Sequence, residues 1–202
     1  QKDKILRSQR MHFSNYFFAL HYLNLDEKIF FETAKIYNSL YRDTKILPKK
    51  NFVNEKIHIA FVAPHFLDSS SARFFENLLT DYDREKFFVS AWSLSSSEDN
   101  FTKKIRRSVD KFFDISEISF EESAQKIQSE GADIFFDLGG HTEGGETLQI
   151  AAYRPAKIQI SGIGFFDTTG TNFIDYFLTD NFMIEKKKKN FTEKILILKN
   201  AF

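Results

Sequence analysis

The fold is decided by residues 133–153, whose sequence is DIFFDLGGHTEGGETLQIAAY. Residues 134–138 are apolar except for Asp137, a run that is typical of a strand buried on both faces of a sheet. Four glycines follow within seven residues, and a short helix is predicted from Leu148 to Tyr153. Because glycine permits positive φ and close backbone approach, the segment predicts a strand, a tight turn and a helix.

The same alternation continues on both sides of this segment. Further strands are predicted at residues 57–62, 87–94 and 157–163, with a candidate fifth strand at 176–179. Helices are predicted at residues 71–82, around 101–109 and after Ser119, where Ser119 and Glu122 form a capping box and Gly131 ends the helix. Strands that alternate with helices at this spacing predict an α/β fold, a Rossmann-like parallel sheet flanked by helices.

The first fifty residues precede this alternation and are predicted to be helical. Apolar side chains recur at helical spacing between Leu25 and Leu40, and a less regular helix is predicted between Ile5 and Leu23. The segment from Pro48 to Asn51 interrupts the pattern. The sequence therefore predicts a helical lead-in over residues 1–50 and an α/β lobe over residues 51–202.

The composition narrows the class of protein. The chain has 202 residues, with 28 Lys and Arg, 28 Asp and Glu, and no Cys. A formal net charge of zero argues against general nucleic-acid binding, and the lack of Cys excludes disulfide scaffolds and thiolate zinc sites. No apolar run approaches the ~18 residues of a membrane span. The start is not a signal peptide, so we expect a cytoplasmic location, and because it is Gln and not Met we expect a fragment.

Two glycine-rich loops are candidate ligand sites. Seven of the eight glycines lie between residues 139 and 170, in loops that follow the strands at 133–138 and 157–163. In open parallel sheets, ligands bind outside the carboxyl ends of the strands, and the helix that begins near Gly145 would present N–H groups to an anion. A tight turn without a ligand is the alternative. Neither a dinucleotide fingerprint nor a P-loop motif is present.

A third loop, residues 64–71, follows the first strand. His65 in this loop and His141 after the third strand are predicted to lie at the same edge of the sheet, where either one could transfer protons near neutral pH. Hydrogen-bonded loop histidines are the alternative, and Ser69 is also a candidate helix cap. The other histidines fit no ligand spacing, so no metal site is predicted.

These loops carry a resemblance to a known family. The segments that resemble the catalytic region of the O-linked N-acetylglucosamine transferase family are residues 56–66, 133–142, 154–159, 168–170 and 175–180. Residues 14–20 resemble the segment that joins that family's tetratricopeptide repeats to its catalytic part. The similarity covers most of residues 12–202.

The resemblance implies a metal-independent, inverting glycosyltransferase of the two-lobed GT-B type, of which this chain is the first lobe. Members move a sugar, here expected to be N-acetylglucosamine, from a UDP-sugar to Ser or Thr of proteins, and one branch glucosylates Asn. The UDP-sugar is the donor, and no cofactor is expected. Protein acceptors, a second lobe beyond Phe202 and repeats before Gln1 are implied, and the fragment alone is expected to be inactive.

The resemblance also implies roles for residues of the three loops. We expect Ile163 and Gly164 beside the sugar and His141 near the site, with Ser69 or His65 at the position of the family's usual active-site His. The remaining residues expected to line the donor-sugar loops are Gly139, Gly140, Thr142, Thr168 and Thr169. Because Ser69 stands where the family often has His, two alternatives remain: a non-catalytic interaction lobe, and a UDP-sugar epimerase.

Overall fold

The computed structural model describes residues 2–23, 25–184 and 190–198, and within these ranges it contains a seven-stranded sheet whose neighbouring strands are all parallel. The strands are β1 (Ile57–Ala63), β2 (Phe87–Ser93), β3 (Lys111–Asp114), β4 (Ile134–Asp137), β5 (Ile158–Gly162), β6 (Tyr176–Asp180) and β7 (Lys194–Leu198). The helices are α1 (Lys2–Leu20), α2 (Glu27–Ser39), α3 (Ser70–Thr80), α4 (Asn100–Ser108), α5 (Phe120–Ser129), α6 (Glu146–Ala151) and α7 (Asn181–Ile184). The predicted α/β class with a parallel sheet is confirmed.

The strand order is β3-β2-β1-β4-β5-β6-β7, so the direction in which the sheet grows reverses between β1 and β4. The five predicted strands are confirmed. The edge strands β3 and β7 were not predicted, and both keep part of their surface exposed.

Two buried clusters cover the two faces of the sheet. Phe135 of β4 packs with Trp92 and Ile127 on one face, whereas Phe136 packs with Phe75 and other side chains on the opposite face. Successive residues of a strand point to opposite faces, so an unbroken apolar run is what a doubly covered strand requires. This packing explains why residues 133–138 show no polar alternation.

Local capping signals fix the helix ends near the sheet. Ser119 and Glu122 form the predicted capping box, in which the Ser119 hydroxyl accepts from the backbone N–H of Glu122 and the Glu122 carboxylate accepts from that of Ser119. After α5, Gly131 has a φ of 81°, the left-handed conformation that ends many helices. Both predictions are confirmed.

The two helices of the lead-in pack onto the loops at the carboxyl edge of the sheet. Phe17 of α1 and Ala34 of α2 form a small buried cluster with Phe165, which follows β5. The two helices predicted in the lead-in are confirmed as α1 and α2, residues 40–50 contain no helix, and the division at residue 50 stays a prediction. None of the helices in the described parts of the chain combines the length and the apolar character that crossing a bilayer would demand.

Candidate active site

The strand order reverses between β1 and β4, and such a reversal is where a parallel sheet is expected to leave a crevice at its carboxyl edge. In doubly wound sheets, the connections from the two central strands leave toward opposite faces, and ligands bind where they diverge. Here the central strands are β1 and β4. The loop of residues 64–69 therefore lines one side of the crevice and the loop of residues 138–145 the other, with the loop of residues 163–170 beside it.

Asp137 organises the turn that follows β4. Its side chain is fully buried, and its carboxylate accepts from the backbone N–H groups of Gly139, at 2.9 Å, and Gly140, at 3.0 Å. It also accepts from the hydroxyl of Ser161 in β5, at 2.6 Å. One carboxylate thus ties the loop after β4 to the neighbouring strand. Sequence reasoning missed this role, and the signal was an acid inside an otherwise apolar run.

The two glycine-rich loops lie against each other. A Cβ atom at Gly164 would overlap the carbonyl oxygen of Leu138, and one at Gly140 would overlap the side chain of Phe165. Because no side chain fits at these two positions, the loops after β4 and β5 form one continuous wall.

Most of the other loop glycines make room for the lead-in helices. Cβ atoms at Gly144 and Gly145 would overlap Met11 and Ser14 of α1, and one at Gly170 would overlap a backbone oxygen of α2. Gly145 precedes α6, so this helix terminus lies against α1. These contacts with α1 and α2 favour the alternative of tight turns without a ligand. They do not support an anion at the N-terminus of α6.

His141 is buried where α1 meets this wall. Its Nδ1 lies 2.9 Å from the Ser14 hydroxyl and its Nε2 2.9 Å from the carbonyl oxygen of Thr169. A carbonyl only accepts, so Nε2 carries the hydrogen and Nδ1 accepts from Ser14. The rings of Phe17 and Tyr37 pack edge-on against the imidazole. Both ring nitrogens are thus hydrogen-bonded to other residues of the protein. His141 therefore holds α1 in place, and its position does not support contact with a substrate.

Acid is expected to destabilise the protein through His141. Burial lowers the pKa of its imidazole to about 4 in the folded state, whereas the unfolded chain takes up this proton near pH ~6.5. Between these values the unfolded state binds more protons, so stability falls as the pH drops, by ~3 kcal/mol in total. The measurement is urea unfolding at about pH 7 and about pH 4.5.

The control for this experiment is His141→Gln, which should lose less stability on acidification than the parent protein. The pKa of His58 is also lowered, chiefly by burial, and adds a loss of the same sign. The pKa of Glu193 is raised by burial, so its protonation acts in the opposite direction. An equal acid loss in His141→Gln would contradict a neutral, buried imidazole.

Several predicted residues remain accessible along the crevice. Ile163, Gly164, Thr142 and Ser69 are each half-buried. Ser69 caps α3 by accepting from the backbone N–H of Ala72 at 3.3 Å, so its alternative role as a cap is confirmed. Ile163 has a φ of 72°, a left-handed conformation that a β-branched side chain rarely adopts. Such strain persists only where surrounding structure enforces it, often beside a binding site.

Thr168 and Thr169 are buried and do not line the crevice in this structure. The Thr168 hydroxyl donates to Glu193 at 2.7 Å, and the backbone N–H of Thr169 donates to the same carboxylate at 2.8 Å. Burial raises the pKa of Glu193, and these donors oppose that effect. The two threonines and Glu193 therefore hold the loop after β5 against the segment before β7. The sequence did not reveal this positioning role.

His65 and Glu143 meet across the crevice. Nε2 of His65, after β1, lies 3.0 Å from Oε1 of Glu143, in the 3₁₀ turn Thr142–Gly145 after β4. Both side chains remain accessible. Glu143 was not predicted as a site residue. The feature of the sequence that could have indicated it is a carboxylate among four loop glycines.

The family assignment follows from the sequence that builds this lobe. The sequence model described as "Glycosyl transferase family 41" matches residues 31–202. The chain belongs to glycosyl transferase family 41. That span contains the whole sheet and all three loops of the crevice, so the resemblance stated on these loops is confirmed.

Named relatives of this family 41 chain are longer proteins. It is 29% identical over 151 residues to a UDP-N-acetylglucosamine–peptide N-acetylglucosaminyltransferase of Caenorhabditis elegans, covering 73% of this chain and 13% of that protein. It is 32% identical over 179 residues to the probable enzyme SPINDLY of Arabidopsis thaliana, covering 83% and 19%. The chain thus spans less than one fifth of the length of these two relatives.

A solved structure shares the fold of this family 41 lobe. A mutant O-GlcNAc transferase of Thermobaculum terrenum superimposes with a TM-score of 0.86, at 24% identity, over 96% of this chain and 38% of that one. The match supports the predicted GT-B-type lobe. In the described ranges of the chain, no three His, Asp or Glu side chains are grouped to hold a metal ion. Metal independence stays a prediction.

Proposed function

We propose that this lobe is part of a protein glycosyltransferase that transfers N-acetylglucosamine from UDP-N-acetylglucosamine to Ser or Thr side chains. Membership of family 41 over residues 31–202 is the observation that carries the proposal. The names of the C. elegans and Arabidopsis relatives give the same donor and a peptide acceptor. We further propose inversion at the anomeric carbon, a protein acceptor and a cytoplasmic location.

We place the sugar at the turn after β5 and the neighbouring turn after β4. Ile163, Gly164 and Thr142 are accessible there, and the strained backbone at Ile163 supports a binding role for this turn. A departing diphosphate requires N–H donors or positive charge, whereas the hydrogen-bonded pair of His65 and Glu143 contributes a carboxylate. We therefore propose that the diphosphate is bound by groups outside these three loops, in the second lobe that the family resemblance implies.

Calorimetry on the full-length protein tests the donor. We expect UDP-N-acetylglucosamine to bind in the range of about 1 µM to 1 mM, as substrates commonly do. UDP-glucose and UDP-N-acetylgalactosamine are the comparison ligands. Failure of all three to bind would contradict the proposal, and capture of protein partners that ignores UDP-sugar would then favour an interaction lobe.

Mass spectrometry of an acceptor mixture tests the reaction. We expect an N-acetylhexosamine on Ser or Thr, and turnover that stays within about two-fold when EDTA is added, because the three loops contribute no grouped metal ligands. Interconversion of UDP-sugars without any acceptor would identify an epimerase instead. A sugar found only on Asn would correct the acceptor.

A further inference from the structure

The pair His65 and Glu143 lies at the point of the sheet where a ligand is best placed. His65 lies near the start of the connection after β1 and Glu143 belongs to the turn after β4, the two strands between which the order reverses. The loops also touch below the pair, because a Cβ atom at Gly139 would lie 3.1 Å from Pro64. The pair therefore spans the crevice that the two connections leave.

The hydrogen bonds of His65 fix its tautomer. Nδ1 accepts from the backbone N–H of Leu67 at 3.3 Å, so this nitrogen carries a lone pair. In the neutral ring the hydrogen is then on Nε2, which donates to Oε1 of Glu143 at 3.0 Å. Both ring nitrogens of His65 are thus engaged in hydrogen bonds, and its Nε2–H orients the Glu143 carboxylate.

The Glu143 carboxylate keeps one oxygen available. Its side chain is 56% exposed, and within the part of the chain that the structure describes Oε2 has no hydrogen-bond partner. The residue also has φ 46° and ψ 44°, a left-handed conformation that costs a side-chain-bearing residue roughly 1 kcal/mol. A strained backbone, an oriented carboxylate and a free oxygen coincide at one position.

We propose that Glu143 is the base that activates the acceptor hydroxyl, and that His65 is the positioning residue that orients it. The inference rests on the proposed function. Oε2 takes the proton of the acceptor hydroxyl while the oxygen of that hydroxyl bonds to the anomeric carbon of the sugar. The bond from that carbon to the diphosphate oxygen breaks, and its electron pair leaves with UDP. The protonated Glu143 then releases its proton to water.

Other carboxylates near the crevice are less suited to this step. Asp137 is fully buried, and its carboxylate is engaged by backbone N–H groups and a hydroxyl. Asp68 in the loop after β1 is paired with Arg73 at 2.7 Å. Glu146 at the start of α6 is held by Arg7 at 2.9 Å. Glu143 is oriented by the Nε2–H of His65 and retains the open oxygen.

Turnover of the full-length protein with UDP-N-acetylglucosamine and an acceptor peptide tests the base. Glu143→Gly is the main variant, because glycine adopts the left-handed backbone freely and should fold at least as well. We expect kcat to fall about 100-fold, as for loss of a general base. The dissociation constant of UDP-N-acetylglucosamine, measured by calorimetry, should change less than about two-fold, since the removed group acts on the acceptor.

Formate supplies a second readout. Added formate should restore part of the turnover of Glu143→Gly, since a free carboxylate can occupy the space of the lost one. Glu143→Gln should be as slow but should not respond, because its amide fills that space. Glu117→Gln is the matched control: Glu117 is an exposed glutamate after β3 at the same edge of the sheet, and its variant should retain full turnover.

The role of His65 is separated from mere packing by two variants. His65→Leu should lower kcat about 10-fold without changing the KM for UDP-N-acetylglucosamine, whereas His65→Gln, whose amide can still donate to Glu143, should retain most of it. Near-normal kcat in Glu143→Gly overturns the inference and leaves the proposed function standing. A parent protein that binds no UDP-sugar overturns both.

Discussion

Replacing Gly164 with Ala is expected to destabilise the lobe by about 3 kcal/mol or more. The new Cβ atom would overlap the carbonyl oxygen of Leu138, a backbone atom that cannot turn aside as a flexible side chain can. To make room, the loop after β5 must move away from the loop after β4, which breaks the wall of the crevice. The measurement is the midpoint of urea unfolding at unchanged slope.

Gly131→Ala is the matched control for this substitution. Gly131 has a φ of 81°, but the nearest atoms to a Cβ there are 3.5 Å away, in the side chain of Phe52. The cost is therefore conformational only, about 1 kcal/mol. Equal losses in the two variants would show that close approach of Leu138 is not the reason for glycine at position 164.

Much of the fold could be predicted because burial on both faces leaves a strong trace in a strand. The segments that became β1 and β4 are apolar except for one polar residue each, His58 and Asp137, and they were predicted from that property. The strand order leaves no such trace, since it depends on which faces the connecting helices cover. The reversal between β1 and β4 therefore became visible only in three dimensions.

The candidate site was predictable in place but less so in residue roles. A glycine that admits a helix and a glycine that admits a ligand are identical in sequence, which is why Gly145 and Gly170 suggested a ligand although they face α1 and α2. His141 and His65 could not be told apart either, because in the sequence each is a histidine in a loop after a strand. Their difference arises from α1, whose Ser14 and Phe17 enclose His141 and leave His65 accessible.

This enclosure makes the lead-in part of the site's support. Met11 and Ser14 of α1 fill the space above Gly144 and Gly145, the two glycines that follow Glu143 in the same turn. The conformation of Glu143 is thus enforced by a helix that is distant in sequence. Local sequence could not have revealed this dependence, because strain of this kind is held by tertiary contacts.

Replacing Asp137 with Ala is expected to cost about 4 kcal/mol, because three buried donors lose their acceptor together. These are the backbone N–H groups of Gly139 and Gly140 and the hydroxyl of Ser161, all of which lie where water does not reach. Asp137→Asn is expected to cost only about 1 kcal/mol. Its amide oxygen can still accept from both backbone groups, and the Ser161 hydroxyl can rotate to accept from its amide nitrogen.

The difference between these two variants isolates the hydrogen bonds from the volume of the side chain. Urea unfolding gives the stability of each, and amide hydrogen exchange at Gly139 and Gly140 reports the turn directly. We expect faster exchange in Asp137→Ala at these two amides, with the core strand residue Phe135 changed only by the global loss of stability. If Asn costs as much as Ala, the negative charge rather than the acceptor geometry stabilises this turn, and the account of Asp137 given by its contacts is wrong.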